Sequence, residues 1–358
     1  MRNLASIQKI EKIQPIPNKD RIGLAHVLGW EVIINLSDFN EGDMAVYVEI
    51  DSILPKKPEF KFLEKRGYRI RTMKMAGCIS QGICFPLSIL PEGEYEIGQD
   101  VTELIGITKY DPYEEVGQDI RTPKDTKHYP KWLMKFAWFR KLVLPKKQAK
   151  GFPDFISKTD ETRIENAPFY LEDKNPWIQT EKLDGQSGTW FLVKRHPEHF
   201  WQKPYYEFGV CSRNLRIWNE DNSSYWTIAR QYNLKHILEQ LIHDNDFIAI
   251  QGECLGQGIQ GNKYHINGYD MRVFNLIYPY GRIGSVEAKN IVEQFGLKFV
   301  PILNTEFIMP DSIEELRKIV HGKSELYDTL KEGCVFRSPN GQKSFKCVDP
   351  EFLLKYGE

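Results

Sequence analysis

The chain has 358 residues, of which 41% are hydrophobic and 27% charged, and its formal net charge is -1. These values are typical of a globular protein with room for two domains, and no apolar run reaches the roughly 18 residues that would suggest a membrane span. The six cysteines form no Cys-x-x-Cys pair and the amino terminus lacks a signal-peptide core, so we expect an intracellular protein with reduced thiols.

The first part of the chain, residues 1–105, consists of short apolar or alternating segments separated by turn residues. The segments are residues 4–13, 23–27, 31–34, 45–50 and 79–86. Proline, glycine and asparagine separate them, which is the pattern of many short strands. We therefore predict a small all-β barrel.

Basic side chains alternate with apolar or small ones over residues 67–74. As a strand, this segment would present Arg69 and Arg71 on one face, because successive side chains of a strand point to opposite faces. That face could follow a nucleic-acid backbone. The charges could equally protect a solvated edge strand from pairing with another chain.

Residues 106–150 are a predicted connector that contains a reversal of charge. Residues 91–120 contain nine acidic side chains and one basic one, whereas residues 121–150 contain ten lysines or arginines and one acid. Aromatic residues are interleaved with the basic ones, namely Tyr129, Trp132, Phe136, Trp138 and Phe139. This mixture suits base stacking with phosphate neutralisation, and it also fits an amphipathic helix docked between two domains.

Thr159 and the acidic residues after it are typical of a capped first helical turn, because Asp160 and Glu161 would face the positive end of the helix dipole. Arg163 would lie on this predicted helix. There it could bind a terminal phosphate of a substrate or form a structural ion pair.

Residues 151–358 contain six segments rich in β-branched and aromatic residues, which predict strands. These are residues 177–180, 189–193, 247–251, 271–277, 333–337 and 343–348. Apolar residues with helical spacing occur over residues 226–243, 285–295 and 311–320. We predict antiparallel sheets with flanking helices, and hence an α+β fold class for the chain.

The stretch Glu181-Lys182-Leu183-Asp184-Gly185 follows the first of these strands. A free lysine amine is protonated at neutral pH, with a pKa near ~10.4, so a site that uses it as a nucleophile must disfavour the ammonium. Five further motifs follow in order: Ser212-Arg213-Asn214, Gly252-Glu253, Val273-Phe274-Asn275-Leu276, Glu332-Gly333-Cys334-Val335-Phe336-Arg337 and Ser344-Phe345-Lys346.

This ordered series resembles the motifs of covalent nucleotidyltransferases, in which the lysine of Lys-x-Asp-Gly attacks the α-phosphate of a nucleoside triphosphate. With the preceding barrel, the chain resembles the ATP-dependent RNA ligase family. That resemblance implies an OB-like nucleic-acid-binding module (1–105), the connector (106–150) and an ATP-grasp-like nucleotidyltransferase domain (151–358). Only twelve residues follow Lys346, too few for the carboxy-terminal OB domain of DNA ligases and capping enzymes.

The resemblance implies a role for each residue around the nucleotide. Lys182 would be the adenylylated nucleophile and Glu181 would bind the adenine amino group. Arg213 would contact the ribose or a phosphate, Glu253 the ribose hydroxyl, and Phe274 would stack on the purine.

The resemblance also implies a hydrated Mg²⁺ or Mn²⁺, with Asp184, Glu253 and Glu332 as its carboxylates, since oxygen ligands suit these ions. Glu332 and Lys346 would act with Lys182 in catalysis, and Lys346 would neutralise the α-phosphate. The family often places two lysines one residue apart in its last motif, whereas Lys343 and Lys346 are three apart. Lys343 is therefore only a candidate phosphate or RNA contact, as is Arg163.

The predicted function is ATP-dependent ligation of a 3′-hydroxyl RNA end to a 5′-phosphate end, in nick sealing or repair. The predicted partner is RNA, as a nicked duplex or as RNA/DNA ends, and the protein is expected to act as a monomer. Two alternatives remain open at this point. One is an RNA-binding protein with a ligase-like fold and no catalysis, and the other is a DNA ligase or guanylyltransferase relative.

Overall fold

The computed structural model describes residues 3–110, 151–196, 203–218 and 220–357. Most of the predicted connector, residues 111–150, lies outside the described residues, and the interpretations of its basic and aromatic residues fall there. The remaining elements fall into an amino-terminal group and a carboxy-terminal group.

The amino-terminal group consists of short antiparallel strands with a short helix, α1 (Thr102–Ile105). The strands are β1 (Ala5–Lys9), β2 (Lys12–Ile16), β3 (Lys19–Val27), β4 (Trp30–Asn35), β5 (Met44–Val48), β6 (Ser52–Ile53), β7 (Thr72–Met75), β8 (Cys78–Gln81), β9 (Ile83–Phe85) and β10 (Thr108–Lys109). They pair in the orders β2-β3-β4, β1-β5-β9, β7-β8 and β10-β6. Their inward side chains form one core around the fully buried Trp30 and Tyr47.

The carboxy-terminal group is built on two antiparallel sheets with helices outside them. Its strands are β11 (Trp177–Lys182), β12 (Gln186–Arg195), β13 (Tyr205–Cys211), β14 (Arg216–Ile217), β15 (Phe247–Gly256), β16 (Tyr269–Tyr278), β17 (Gly281–Arg282), β18 (Ile302–Phe307), β19 (Gly333–Arg337) and β20 (Ser344–Val348). Its helices are α2 (Ser224–Gln231), α3 (Leu234–Leu241), α4 (Ser285–Glu293), α5 (Ile313–Val320) and α6 (Pro350–Tyr356). The strand orders are β18-β11-β19-β20 and β14-β13-β12-β15-β16-β17, and the predicted α+β class is confirmed.

Two helix predictions show how local chemistry sets the ends of elements. The hydroxyl of Ser312 accepts a hydrogen bond from the N–H of Glu315, so Ser312 is the N-cap of α5, within the helical segment predicted over residues 311–320. The single helix predicted over residues 226–243 is wrong. It is divided into α2 and α3 because Asn233 adopts a left-handed conformation with φ of 51°, which a helix cannot continue through.

Two other local predictions are wrong. Residues 157–162 form no helix, and two short 3-10 segments, Ile164–Asn166 and Pro168–Glu172, follow them instead. In the segment 67–74 the strand begins only at Thr72, and Arg69 is buried with its Nη2 3.1 Å from Oδ1 of Asp51. Arg69 therefore cannot belong to an exposed phosphate-binding face.

The two groups are joined by a polar contact at the start of β4. The N–H of Gly29 donates to the carbonyl of Glu165 at 2.9 Å. The indole of Trp30 donates to Oδ1 of Asn166 at 2.6 Å, and the amide of Asn166 donates to Oε1 of Glu49 at 2.6 Å. Phe352 of α6 is also part of the amino-terminal core. The amino-terminal module is thus packed directly on the carboxy-terminal one.

Replacing Arg317 with methionine should destabilise this contact. Its guanidinium lies 3.1 Å from Oε1 of the fully buried Glu165 and 3.5 Å from Oε2 of Glu31. Removing one partner of a buried ion pair leaves a charge unpaired, so we expect the free energy of unfolding to fall by about 3 kcal/mol. Chemical denaturation measures this. The matched control is Lys318→Met on the same helix, where the exposed lysine should contribute almost nothing.

Within the described ranges no helix is long and apolar enough to cross a membrane. All six cysteines fall in those ranges, and none of them forms a disulfide there.

Candidate active site

A pocket opens between the two carboxy-terminal sheets, where the turn after β11 leads into β12. Its lining comes from both sheets and from the segment before β11: Thr159, Thr180, Glu181, Lys182, Leu183, Ser187, Glu253, Phe274 and Val300. Four of the residues singled out by the sequence motifs are therefore brought together here. The strand carrying Lys182 extends two residues further than predicted, so the lysine is held on regular backbone.

Gly185 is required in the turn because the backbone of β15 passes directly beside it. A Cβ at this position would lie 2.4 Å from the carbonyl oxygen of Cys254 and 2.9 Å from Cγ of Glu253. No side chain can be accommodated at such distances. The close approach brings Glu253 next to the turn that carries Asp184.

Gly185→Ala should therefore disturb the site without preventing folding. The turn must shift away from β15, and overpacking of this kind costs about 1–3 kcal/mol. A displacement of Lys182 by about 1 Å is expected to slow its reaction on the order of 100-fold. Thermal melting and the rate of nucleotide attachment measure the two effects. Gly151→Ala is the control, since its Cβ would meet nothing within 4 Å.

Lys182 lies among carboxylates. Its Nζ is 2.5 Å from Oε2 of Glu332, and the two side chains are 24% and 10% exposed. Burial alone would lower the pKa of Lys182. The negative charges of Glu332, Glu253 and Asp184 outweigh that effect and raise the pKa above its ordinary value. The amine is therefore held as an ammonium while these carboxylates are ionised.

Glu253 and Asp184 show how strongly negative this end of the pocket is. Burial, opposed by Lys182 and reinforced by Glu332 and Asp184, raises the pKa of Glu253 to about 8. Asp184 forms an ion pair with Lys263, and its backbone N–H donates to the hydroxyl of Tyr264 at 2.9 Å. Among the residues described, no three His, Cys, Asp or Glu side chains are close enough to ligate one ion directly.

Two further groups that line the pocket, Glu181 and Phe274, are suited to a purine. Oε2 of Glu181 accepts a hydrogen bond from the N–H of Glu325 at 2.9 Å. Its Oε1 is buried and has no hydrogen-bond partner in the described part of the chain. Burial raises the pKa of this carboxyl. Phe274 lines the same pocket and offers an aromatic face.

The strand register places Lys346 on the same face as Lys182. Lys346 lies opposite Val335, and Val335 lies opposite Thr180, which is two residues before Lys182 on β11. Directly opposed residues of an antiparallel pair project to the same side, as do residues two apart on a strand. Lys346 therefore projects from the face that carries the nucleophile.

A cluster of cations surrounds Asp160 beside the pocket. Its Oδ1 lies 3.1 Å from Nζ of Lys346 and 3.2 Å from Nη2 of Arg213, and its Oδ2 lies 3.1 Å from Nζ of Lys109. Burial opposes ionisation, but Lys346, Arg213 and Lys109 hold the pKa of Asp160 well below its usual range. Arg213 and Lys346, which the resemblance assigned to the nucleotide, are thus brought together.

Arg163 and Lys343, the two candidate substrate contacts, do not line the pocket. Arg163 precedes the 3-10 turn rather than lying on a helix, and its Nη2 is 4.0 Å from Oδ2 of Asp51 in the amino-terminal module. Within the described ranges its Nε and Nη1 have no hydrogen-bond partner. Lys343 precedes β20 and lies 3.1 Å from Oδ2 of Asp173 at the surface.

Sequence reasoning missed three charged residues that the structure brings to the site. Lys109 and Asp160 belong to the cation cluster, and Lys263 pairs with Asp184. Asp160 was interpreted only as part of a helix start, because it forms an acidic pair with Glu161 after Thr159. Lys109 and Lys263 carry no local signal, because they reach the site through long-range folding.

Comparisons with known proteins agree with this geometry. A sequence model described as an OB-fold domain matches residues 4–87, and one described as RNA ligase matches residues 175–356, just over half of the chain. The curated proteins searched include no match. The OB-fold match and the sheets described above agree with the predicted order of modules.

Several solved structures of one protein are similar to the whole chain. The Naegleria gruberi RNA ligase with PPi has a TM-score of 0.80 and 30% sequence identity, and the alignment covers 100% of this chain and 99% of that one. A mutant of that ligase with ATP and Mn has a TM-score of 0.80 and 29% sequence identity, and the alignment covers 100% of both chains. Another mutant with AMP and Mn has a TM-score of 0.79 and 29% sequence identity, and the alignment covers 99% of both chains. The ordered motifs, the pocket that they line and these full-length similarities together show that the chain belongs to the RNA ligase family.

Proposed function

We propose that this RNA ligase is activated by ATP through Lys182 and then joins RNA ends in three steps. The amine of Lys182 attacks the α-phosphate, forming lysyl-AMP and releasing pyrophosphate. AMP then passes to a 5′-phosphate end, and a 3′-hydroxyl displaces AMP to close the strand. The observation that carries the proposal is the position of the Lys182 amine, 2.5 Å from Glu332 in a pocket that Glu181 and Phe274 also line.

The nucleotide is proposed to bind along the pocket with its base at the end formed by Glu181 and Phe274. The unpartnered buried Oε1 of Glu181 suits the amino group of adenine, because a buried acceptor without a donor is costly. Phe274 would stack on the ring system, and Glu253 would accept from a ribose hydroxyl. Arg213 would then meet the ribose or a phosphate.

The phosphates are proposed to face Lys346 and the cations near it. Phosphoryl transfer needs charge neutralisation and in-line positioning more than covalent help from the protein. Lys346 satisfies the first need, because it projects from the same sheet face as Lys182. Catalysis is thus assigned to Lys182, Glu332 and Lys346.

A divalent cation fits the acidic end of the pocket. The raised pKa of Glu253 reflects burial together with the nearby charges of Glu332 and Asp184, and a cation relieves such an excess. Because these carboxylates do not form a direct ligand set, Asp184, Glu253 and Glu332 would hold Mg²⁺ or Mn²⁺ largely through its water. A bound cation would neutralise the charges that keep Lys182 protonated, leaving burial, which lowers the pKa of Lys182, as the stronger effect.

The similar Naegleria gruberi structures with ATP, AMP and Mn support the choice of nucleotide and metal for this chain. We propose further that residues 1–105 bind the RNA duplex, that residues 106–150 connect the modules, and that residues 151–358 carry the reaction. The substrate would be a nick between a 3′-hydroxyl and a 5′-phosphate, sealed by a monomer inside the cell. Arg163 and Lys343 remain candidate phosphate or RNA contacts.

Two assays test this proposal. Incubation with α-labelled ATP should attach label to the protein, whereas α-labelled GTP should not, and labelling by GTP would favour a guanylyltransferase. A panel of nicked duplexes with RNA or DNA on either side of the break then defines the substrate. Sealing of RNA nicks supports the proposal, and sealing of all-DNA nicks alone would contradict it.

A further inference from the structure

Asp160 lies on a segment that borders the pocket. Thr159 lines the pocket, and its hydroxyl is 2.8 Å from that of Ser187 on β12. On one side the amide of Gln251 donates to the carbonyl of Ser157 at 2.8 Å. On the other side the N–H of Lys346 donates to the carbonyl of Thr162 at 2.8 Å. The segment is therefore fixed to both sheets next to the nucleophile.

The cations around Asp160 exceed what one carboxylate neutralises. Lys109, Arg213 and Lys346 carry three positive charges and all approach its two oxygens within 3.2 Å. Their positions match what an anion with several oxygens requires, because each cation faces the same small volume. A pyrophosphate group carries more negative charge than a carboxylate and would balance this cluster better.

The segment does not depend on Asp160 for its anchoring. The next residue, Glu161, accepts hydrogen bonds from Arg282 at 2.9 Å and from the almost fully buried Arg337 at 3.3 Å. By contrast Arg213 and Lys109, on either side of Asp160, are 45% and 34% exposed. Glu161 thus holds the backbone, while the groups around Asp160 can be reached by a ligand.

We propose that Asp160 occupies a pyrophosphate-binding site, positions its cations before the nucleotide arrives, and is replaced there by the β- and γ-phosphates. This inference rests on the proposed function and extends it to strand β10 of the amino-terminal group, since Lys109 becomes a phosphate contact. When pyrophosphate leaves, Asp160 pairs with the cations again. The phosphates then compete with an anion of the protein itself, which favours their release.

Calorimetric binding of pyrophosphate to the full-length protein tests this. Asp160→Asn removes the competing charge and keeps the size of the side chain, so the dissociation constant should fall about tenfold. Lys109→Ala should raise it about tenfold. Unchanged or weaker binding by Asp160→Asn would overturn the inference, as would a lack of measurable binding by the unaltered protein.

The double variant separates phosphate binding from a merely structural role of Lys109. If Lys109 contacts phosphate, Lys109→Ala should weaken binding about tenfold in the Asp160→Asn background as well. If Lys109 only pairs with Asp160, its replacement should have no effect in that background, and the inference fails. Asp311→Asn is the matched control, because Asp311 pairs with Lys174 at 2.8 Å on an exposed surface and should leave binding unchanged.

This test and the test of the proposed function can fail separately. Pyrophosphate binding needs no covalent step, whereas attachment of α-labelled ATP requires the Lys182 amine. If α-labelled ATP labels the protein but all the variants bind pyrophosphate equally, only the role of Asp160 and Lys109 is overturned. If pyrophosphate binding changes as expected but α-labelled ATP does not label the protein, only the proposed three-step reaction is overturned.

Discussion

Replacing Lys182 with alanine will leave the protein unable to take AMP from ATP, so labelling by α-labelled ATP should fall below detection. The amine is the attacking group, and no other lysine nitrogen is assigned that role in the pocket lined by Glu181 and Glu253. Removal of a nucleophile typically slows a reaction by many powers of ten. Sealing of a nick with an ordinary 5′-phosphate and ATP should be lost to the same extent.

The same variant provides its own control for folding. Once AMP is already joined to the 5′ end of the strand, the nucleophile has no further part in the scheme. Lys182→Ala should therefore still seal a pre-adenylylated nick, and Lys194→Ala at the far end of β12 should keep the complete reaction. Label that persisted on the Lys182→Ala protein would place the attachment site elsewhere and contradict the assignment.

The sequence predicted those parts of the site that lie in continuous motifs. Lys182, Asp184 and Gly185 share one turn, and the structure explains the glycine by the approach of the Cys254 carbonyl to 2.4 Å from a Cβ there. The strand that carries Lys346 was also predicted, because its β-branched and aromatic residues have a strong local preference. Such local preferences require no knowledge of distant contacts.

The parts that the sequence did not predict depend on distant partners. Asp160 follows a threonine and precedes another acid, which is a helix-start pattern, yet its carboxylate pairs with Lys346, far along the chain. Those long-range ion pairs replace the capping of a helical turn. Lys263 likewise reaches Asp184, which lies 79 residues away in the sequence, only through the folding of the chain.

Arg69 illustrates the same limit in the amino-terminal module. Alternation of charge suggested an exposed strand, but the guanidinium pairs with Asp51 and lies 3.5 Å from the ring centre of Tyr110. Periodicity alone cannot distinguish a charge in solvent from a charge that finds a buried partner.

Replacing Glu332 with glutamine should reduce the rate of lysyl-AMP formation at least about 100-fold. Two effects oppose each other here. Loss of the negative charge 2.5 Å from Lys182 lowers the pKa of the amine, which favours attack. It also removes one of the carboxylates that would hold the divalent cation, and phosphoryl transfer depends most on charge neutralisation. We expect the second effect to dominate, because the attacked phosphates carry several negative charges.

The metal dependence of the rate distinguishes these effects. In the Glu332→Gln protein the Mn²⁺ concentration that gives half of the maximal rate should rise, since a ligand charge has been lost. The matched control is Glu325→Gln, because the backbone N–H that Glu325 donates to Glu181 is retained in that variant. If Glu332→Gln instead reacted at the full rate without any change in metal requirement, Glu332 would serve only to pair with Lys182. The carboxylates of the pocket, and the cation that they would hold, would then not account for the loss of the proton from Lys182.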